Sequence, residues 1–242
     1  MPTSDPYTFL NLLLTREAAT EAVAARHSHE PEPLIITVSR DYYSGGEQIA
    51  HKLAECLSLP VYDREILDLT AKQARVERFK FEQHDESTCA SAGVSNFLYS
   101  LLTGSTGDIH SYRRSLYEIV LQLARKDALI VGRGAHLILT GKKVFRLRVV
   151  GSRLVCAKRL AEETGIPLLE AERKVFEINN KRHKSVQQLF GDSFEHASLE
   201  FAKNFDLVIN TDHITPDNAV PIVLLALKQA GFDLQRHRPK SP

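Results

Sequence analysis

Ser39 to Gln48 reads Ser-Arg-Asp-Tyr-Tyr-Ser-Gly-Gly-Glu-Gln. It joins an apolar, β-branched run, Leu34 to Val38, to an amphipathic segment that ends near Leu57. Strand, glycine turn and helix in that order suit phosphate binding on a helix N-terminus. The backbone amides of Ser44, Gly45 and Gly46 are candidates to wrap phosphate oxygens, with Gln48 beside them. The other reading is a tight turn that holds no ligand. A P-loop has the form G-x-x-x-x-G-K-[ST], and this turn has neither the lysine nor the Ser or Thr after its second glycine. Arg40, just before the turn, is the candidate to supply the missing positive charge; otherwise it is a solvated surface arginine.

Gly132-Arg133-Gly134 follows a second buried run, Ala128 to Val131. An arginine between two glycines after a strand is aimed at the crevice and suits bidentate contact with phosphate. Leu137 stands where G-x-G-x-x-G would have its third glycine, which argues against a dinucleotide fold and a nicotinamide-dependent oxidoreductase. Asp63 ends Tyr-Asp-Arg-Glu, where it can bind a sugar or base, reach Mg²⁺ through water, or cap the next helix. Further on, Leu168, Ala171, Val175 and Ile178 have the spacing of one buried helix face. Arg182 continues that stripe where the apolar residues stop, so it is a candidate to fold over a bound phosphate. Arg173 is a weaker candidate in the same basic stretch, whose other reading is a solvated face.

These residues need elements to position them. The pattern predicts a helix over 8–26, a linker over 27–33, a strand over 34–38 and a helix over 47–57. A short strand over 59–63 and a helix over 64–75 follow. Residues 76–112 are polar and broken by Gly93, Gly104 and Gly107, with a helix only at 96–102; they read as a mobile insertion. Helix 113–126, strand 128–131, strand 144–150, a helix from about Ser152, helix 168–188, strand 206–210 and helix 216–230 complete the domain. The tail from Asp233 reads as polar and frayed. Strands alternating with helices predict an α/β fold, a parallel sheet flanked by helices on both faces in three layers. Ligands in such sheets bind beyond the carboxyl ends of the strands, where Ser39–Gly46, Asp63, Gly132–Gly134 and Asn210–Asp212 fall.

The 242 residues are 43% hydrophobic and 25% charged, an ordinary balance for a globular chain with a sizeable core. A net charge of +1 gives no reason to expect a nucleic acid or membrane partner. Ten histidines without H-x-x-x-H or C-x-x-C spacing indicate no zinc site. Cys56, Cys89 and Cys156 are scattered and odd in number, as expected of a reducing, cytoplasmic setting. The N-terminus lacks the pattern of a signal peptide.

Together these segments resemble the cytidylate kinase-like family of P-loop kinases. The resemblance runs from about Leu34 to Gly231. It rests on Ile36-Thr-Val-Ser-Arg-Asp-Tyr-Tyr-Ser-Gly-Gly-Glu-Gln-Ile-Ala, Pro60-Val-Tyr-Asp-Arg-Glu-Ile-Leu, Ile130-Val-Gly-Arg-Gly-Ala and Asp206-Leu-Val-Ile-Asn-Thr-Asp. It implies a kinase domain over 34–231, with a helical insertion at about 76–112 and a lid at about 173–190. Residues 1–33 form an N-terminal helical extension outside it, a candidate surface for a second copy or a protein partner, and 232–242 a polar tail.

By resemblance, Ser39 to Gln48 would face the phosphates of ATP with Mg²⁺. Asp63 and Arg133 would face a nucleoside monophosphate, CMP or dCMP being the simplest, and Arg182 would close from the lid. The chain departs from the pattern. Gly46 and Gln48 stand where cytidylate kinases have lysine and the Mg²⁺-binding Ser or Thr. Tyr43 replaces the first glycine of the Gly-Ser-Gly-Gly-Arg-Glu common in the family, and Glu47 replaces its arginine. Asn179-Asn180 stand where related kinases carry acidic residues. Two expectations follow: an ATP-dependent kinase of a nucleoside monophosphate, or a catalytically inactive nucleotide-binding or regulatory module on the same fold.

Overall fold

The computed structural model describes residues 32–63, residue 66 and residues 106–237. Their strands are β1 (Ile35–Arg40), β2 (Val61–Tyr62), β3 (Ala128–Val131), β4 (Phe145–Val150) and β5 (Leu207–Asn210). All pair in parallel, in the order β2-β3-β1-β4-β5. β1 is central, with Thr37 opposite Ile130 on one side and Arg146 on the other. Its sequence explains the place: Ile-Ile-Thr-Val is β-branched throughout and buried on both faces.

Alternate residues of a strand face opposite sides. Leu34, Ile36 and Val38 join Leu129, Val131, Leu147 and Val149 on one face. That face is covered by α1 (Gly46–Leu57), through Ile49 and Leu53, and by Val220, Val223 and Leu227 of the last helix. On the other side lie α2 (Thr106–Leu123), with Leu116 and Val120 buried, and the short α3 (Ala135–Ile138). α4 (Arg153–Thr164) packs on α5 (Leu168–Phe190) through Cys156, Ala157, Leu160, Ala171 and Val175. α6 (Pro216–Gln229) starts from a Thr215 cap, with proline at the first helical position. The helices therefore occupy both faces of the sheet, as the alternation of elements predicts. From Pro33 onward the chain forms one compact unit.

Several boundaries differ from the sequence reading. α2 starts at Thr106, so residues 106–112 belong to a helix rather than to an irregular insertion, and it stops at Leu123. Gly107 reads as a breaker but sits in the first turn, where a helix tolerates it. α3 was not expected; four residues are too few to show a period. Beyond Asp233, residues Gln235–His237 make a 3₁₀ turn. That turn buries His237, whose Nδ1 lies 3.8 Å from Asp127 Oδ2. The expected helices at 8–26 and 96–102, residues 64, 65 and 67–75 of the expected helix over 64–75, and residues 76–105 of the expected insertion lie outside the described residues. Among the described residues no helix is long and apolar enough to cross a membrane.

Candidate functional site

The turn from β1 to α1 is held from below. Ser44 Oγ donates to the Asp41 carbonyl at 2.9 Å, and Ser44 N donates to the same oxygen at 3.3 Å. Thr211 Oγ1 donates to the Ser44 carbonyl at 2.6 Å. Arg159 Nη1 donates to the Tyr43 carbonyl at 3.3 Å, and its Nη2 to the Thr211 carbonyl. Ser44 is therefore fully buried and committed to the turn, not to a ligand. The amides that open on the cleft belong to the first turn of α1, Gly46 to Gln48, where helix N–H groups have no intrahelical partner.

Tyr43 takes φ 58°, a left-handed conformation that favours glycine. Its phenol donates to Glu163 Oε1 at 3.1 Å, and its ring meets Tyr42 edge-on at 4.8 Å. Burial, and then the bond to Glu163, push the Tyr43 phenol up to about 12. Gly46 is needed for a different reason: a Cβ there would come within 2.5 Å of Arg40 Cβ. Helix α1 can meet the end of β1 this closely only without a side chain.

Arg40 leaves the end of β1 and runs over Gly132, where a Cβ would lie 2.7 Å from its Nη1. Its Nη2 is 3.1 Å from Glu47 Oε1 and 3.1 Å from Asp63 Oδ2. Arg133, also left-handed at φ 57°, brings Nη2 to 4.0 Å from Asp63 Oδ1. Arg182 is buried on α5, donates from Nη1 to the Arg40 carbonyl at 3.0 Å, and stacks over Tyr42 at 5.6 Å. One turn earlier Asn179 Oδ1 accepts from Tyr42 N at 2.8 Å. Two side chains of α5 thus grip the loop after β1.

These groups line one cleft of about 660 Å³ beyond the carboxyl ends of β1, β2 and β3. It brings together Arg40, Gly45, Gly46, Gln48, Asp63, Arg133 and Arg182. Arg173 is not among them; it is exposed on α5. Among the described lining residues four arginines face four carboxylates, Asp41, Glu47, Asp63 and Glu163. The sequence reading placed Thr211 beyond the strand ends but not its bond to Ser44, and it missed Arg159 and Glu163, which read as ordinary polar residues of a helix. It also missed the buried Arg148–Asp41 pair, which anchors the same loop from β4.

The donor set suits an anion: helix amides and arginines converge from separate elements. Among the described residues no cluster of three metal-ligating side chains exists. A Mg²⁺ ion carried on nucleotide phosphates needs only one or two carboxylates from a protein, and Asp63 and Glu47 are the carboxylates nearest Arg40. The residues present therefore fit a phosphate-borne ion, which when bound would neutralise phosphate charge.

A model of the cytidylate kinase-like family matches residues 35–213. No curated protein matches the chain. Among solved structures, an uncharacterized protein from Eubacterium ventriosum is 19% identical with a TM-score of 0.59, over 81% of this chain and 98% of that one. A shikimate kinase from Bacteroides thetaiotaomicron is 13% identical with a TM-score of 0.47, over 81% of this chain and 98% of that one. A gluconokinase from Sinorhizobium meliloti is 13% identical with a TM-score of 0.45, over 83% and 94%. With the family match spanning β1 to β5, the chain belongs to the cytidylate kinase-like family.

Proposed function

We propose that this protein binds a nucleotide by its phosphates in the cleft and transfers the ATP γ-phosphoryl group to a nucleoside monophosphate, with CMP or dCMP as first choice. The observation that carries this reading is the convergence of Arg40, Arg133 and Arg182, from β1, the turn after β3 and α5, on the N-terminus of α1. Phosphoryl transfer asks a protein mainly for positioning and charge stabilisation. Arg40 stands in for the absent loop lysine. Gly46 and Gln48 offer amides to the donor phosphates. Arg133 holds the acceptor phosphate, with Asp63 turned to its sugar or base. Arg182 closes from the lid at about 173–190 and excludes water. The exposed Arg173 has only an outer, screened role in this reading. The reading carries with it a reducing, cytoplasmic setting and a partner surface on residues 1–33, which lie outside the described residues apart from Glu32 and Pro33.

A second reading, a nucleotide-binding module without turnover, is favoured by two ion pairs of Arg40. Arg40 is already neutralised by Glu47 and Asp63 at 3.1 Å each. Calorimetry with CMP and with ATP–Mg²⁺ tests the common ground of both. Wild type should bind. Arg133→Ala should weaken CMP by about tenfold or more, since a hydrogen bond to a charged group contributes roughly 1.5–3 kcal/mol. Equal affinity in wild type and Arg133→Ala would remove the assignment of Arg133.

A further inference from the structure

A smaller cavity of about 70 Å³ lies next to the cleft and shares Arg40, Arg133 and Arg182 with it. Ser39, 4% exposed at the end of β1, is in its wall. It exceeds the roughly 15 Å³ that one water needs, and three guanidinium groups border it.

Behind Ser39 stands His136 of α3, 2% exposed and stacked on Phe205 at 4.8 Å. His136 Nδ1 lies 3.3 Å from Ser39 Oγ, and Nε2 is buried with no partner. Burial first, then Arg148 and Arg146, hold the imidazole down at about 3, so it is neutral and has one N–H. That proton has two places. On Nε2 it would be a buried N–H with no acceptor, a rare and costly arrangement. On Nδ1 it donates to Ser39 Oγ and leaves only an unpaired lone pair on Nε2. Ser39 Oγ then accepts, and its own O–H must donate elsewhere. Among the described residues it has no other partner, and the cavity is the space beside it.

We infer that the Ser39 hydroxyl, oriented by the Nδ1–H of His136, donates to an anionic oxygen of a phosphate group seated in the cavity between Arg133 and Arg182. His136 is then a positioning residue and Ser39 a binding residue. The inference rests on the reading of the cleft as a phosphate site. It adds a neutral donor, fixed in direction, to a set of arginines.

Two measurements test it. Long-range ¹⁵N–¹H correlation on the wild-type protein reads the tautomer, with the His136 signals identified by their loss in His136→Asn. Protonated Nδ1 and bare Nε2 are expected; an Nε2–H tautomer in the wild-type protein overturns the inference without any ligand. Titration with inorganic phosphate is the second. Ser39→Ala and His136→Leu should each weaken binding by about tenfold, while His136→Asn, whose amide can donate from the Nδ1 position, should stay within roughly threefold. Wild-type binding that Ser39→Ala leaves unchanged overturns this inference alone. No binding of phosphate by wild type overturns it together with the phosphate reading of the cleft.

Discussion

Arg40 Nη2 donates to Glu47 Oε1 at 3.1 Å, across the turn that starts α1. Glu47 is on the first turn of that helix, where a carboxylate is stabilised by the helix N-terminus. A phosphate must compete with it for both Arg40 and the helix amides. Glu47 is 59% exposed, so the competition is screened and modest. Glu47→Gln should tighten ATP binding by about 1.4- to fivefold at low salt, matching an exposed ion pair of roughly 0.2–1 kcal/mol. The gain should shrink as salt rises. Titration calorimetry at two ionic strengths checks it; weaker binding in Glu47→Gln would contradict the competition.

Gly134 makes room for a ring. A Cβ there would fall 2.1 Å from Phe190 Cε2, and the residue sits at φ 66°. Gly134→Ala should destabilise the fold by about 2–4 kcal/mol, from overpacking and the left-handed backbone together. Urea unfolding with an unchanged m-value is the check. A loss below about 0.5 kcal/mol, the usual range for surface changes, would mean that Phe190 moves aside freely.

The acid side of stability should carry the mark of His136. Its folded value, about 3, lies below the ordinary 6.5 because of burial and then Arg148 and Arg146. The unfolded chain therefore takes up this proton first as pH falls. Stability from this group is complete above 6.5 and is lost progressively down to about 3. His136→Asn should flatten the fall in unfolding free energy across that window by up to about one proton, roughly 1.4 kcal/mol per pH unit. An unchanged slope would show that His136 is protonated in the folded protein.

The alkaline side tests the loop. The Tyr43 phenol is pushed up to about 12 by burial and then by Glu163. A raised phenol stabilises the fold fully below pH 10, and that contribution is lost between 10 and about 12. Difference absorbance titration against Tyr43→Phe isolates this group. Glu163→Gln should lower its midpoint. A midpoint indifferent to Glu163 would separate the loop from α4.

The sheet was legible because its central strands announce themselves: Ile35–Val38 and Ala128–Val131 are β-branched or apolar runs without charged residues, while Val144–Val150 keeps enough apolar residues around Arg146 and Arg148 to read as a strand. The arginines were legible for the same reason, as charges placed where apolar runs stop. Arg182 is the clearest case, since its helical phase marks it as inward, and it is buried. Arg173 misled because a basic residue in the same helix carries no sign of its face except phase. Ser44 misled because a backbone amide beside two glycines looks like a phosphate contact, while its place in the turn is fixed by Thr211, 167 residues away. Arg159 and Glu163 were invisible, because their partners at Tyr43 come from another element. Such contacts exist only after packing.

On the proposed function, the Arg40, Arg133 and Arg182 cleft supports phosphoryl transfer without a loop lysine. The direct test is coupled ADP release by wild-type protein with ATP and Mg²⁺ against CMP, dCMP, UMP and AMP. Release should depend on a pyrimidine monophosphate and disappear in Arg133→Ala. Nucleotide binding with no acceptor-dependent ADP release would contradict it, and would leave the cleft as a binding site whose Arg40 stays neutralised by Glu47 and Asp63.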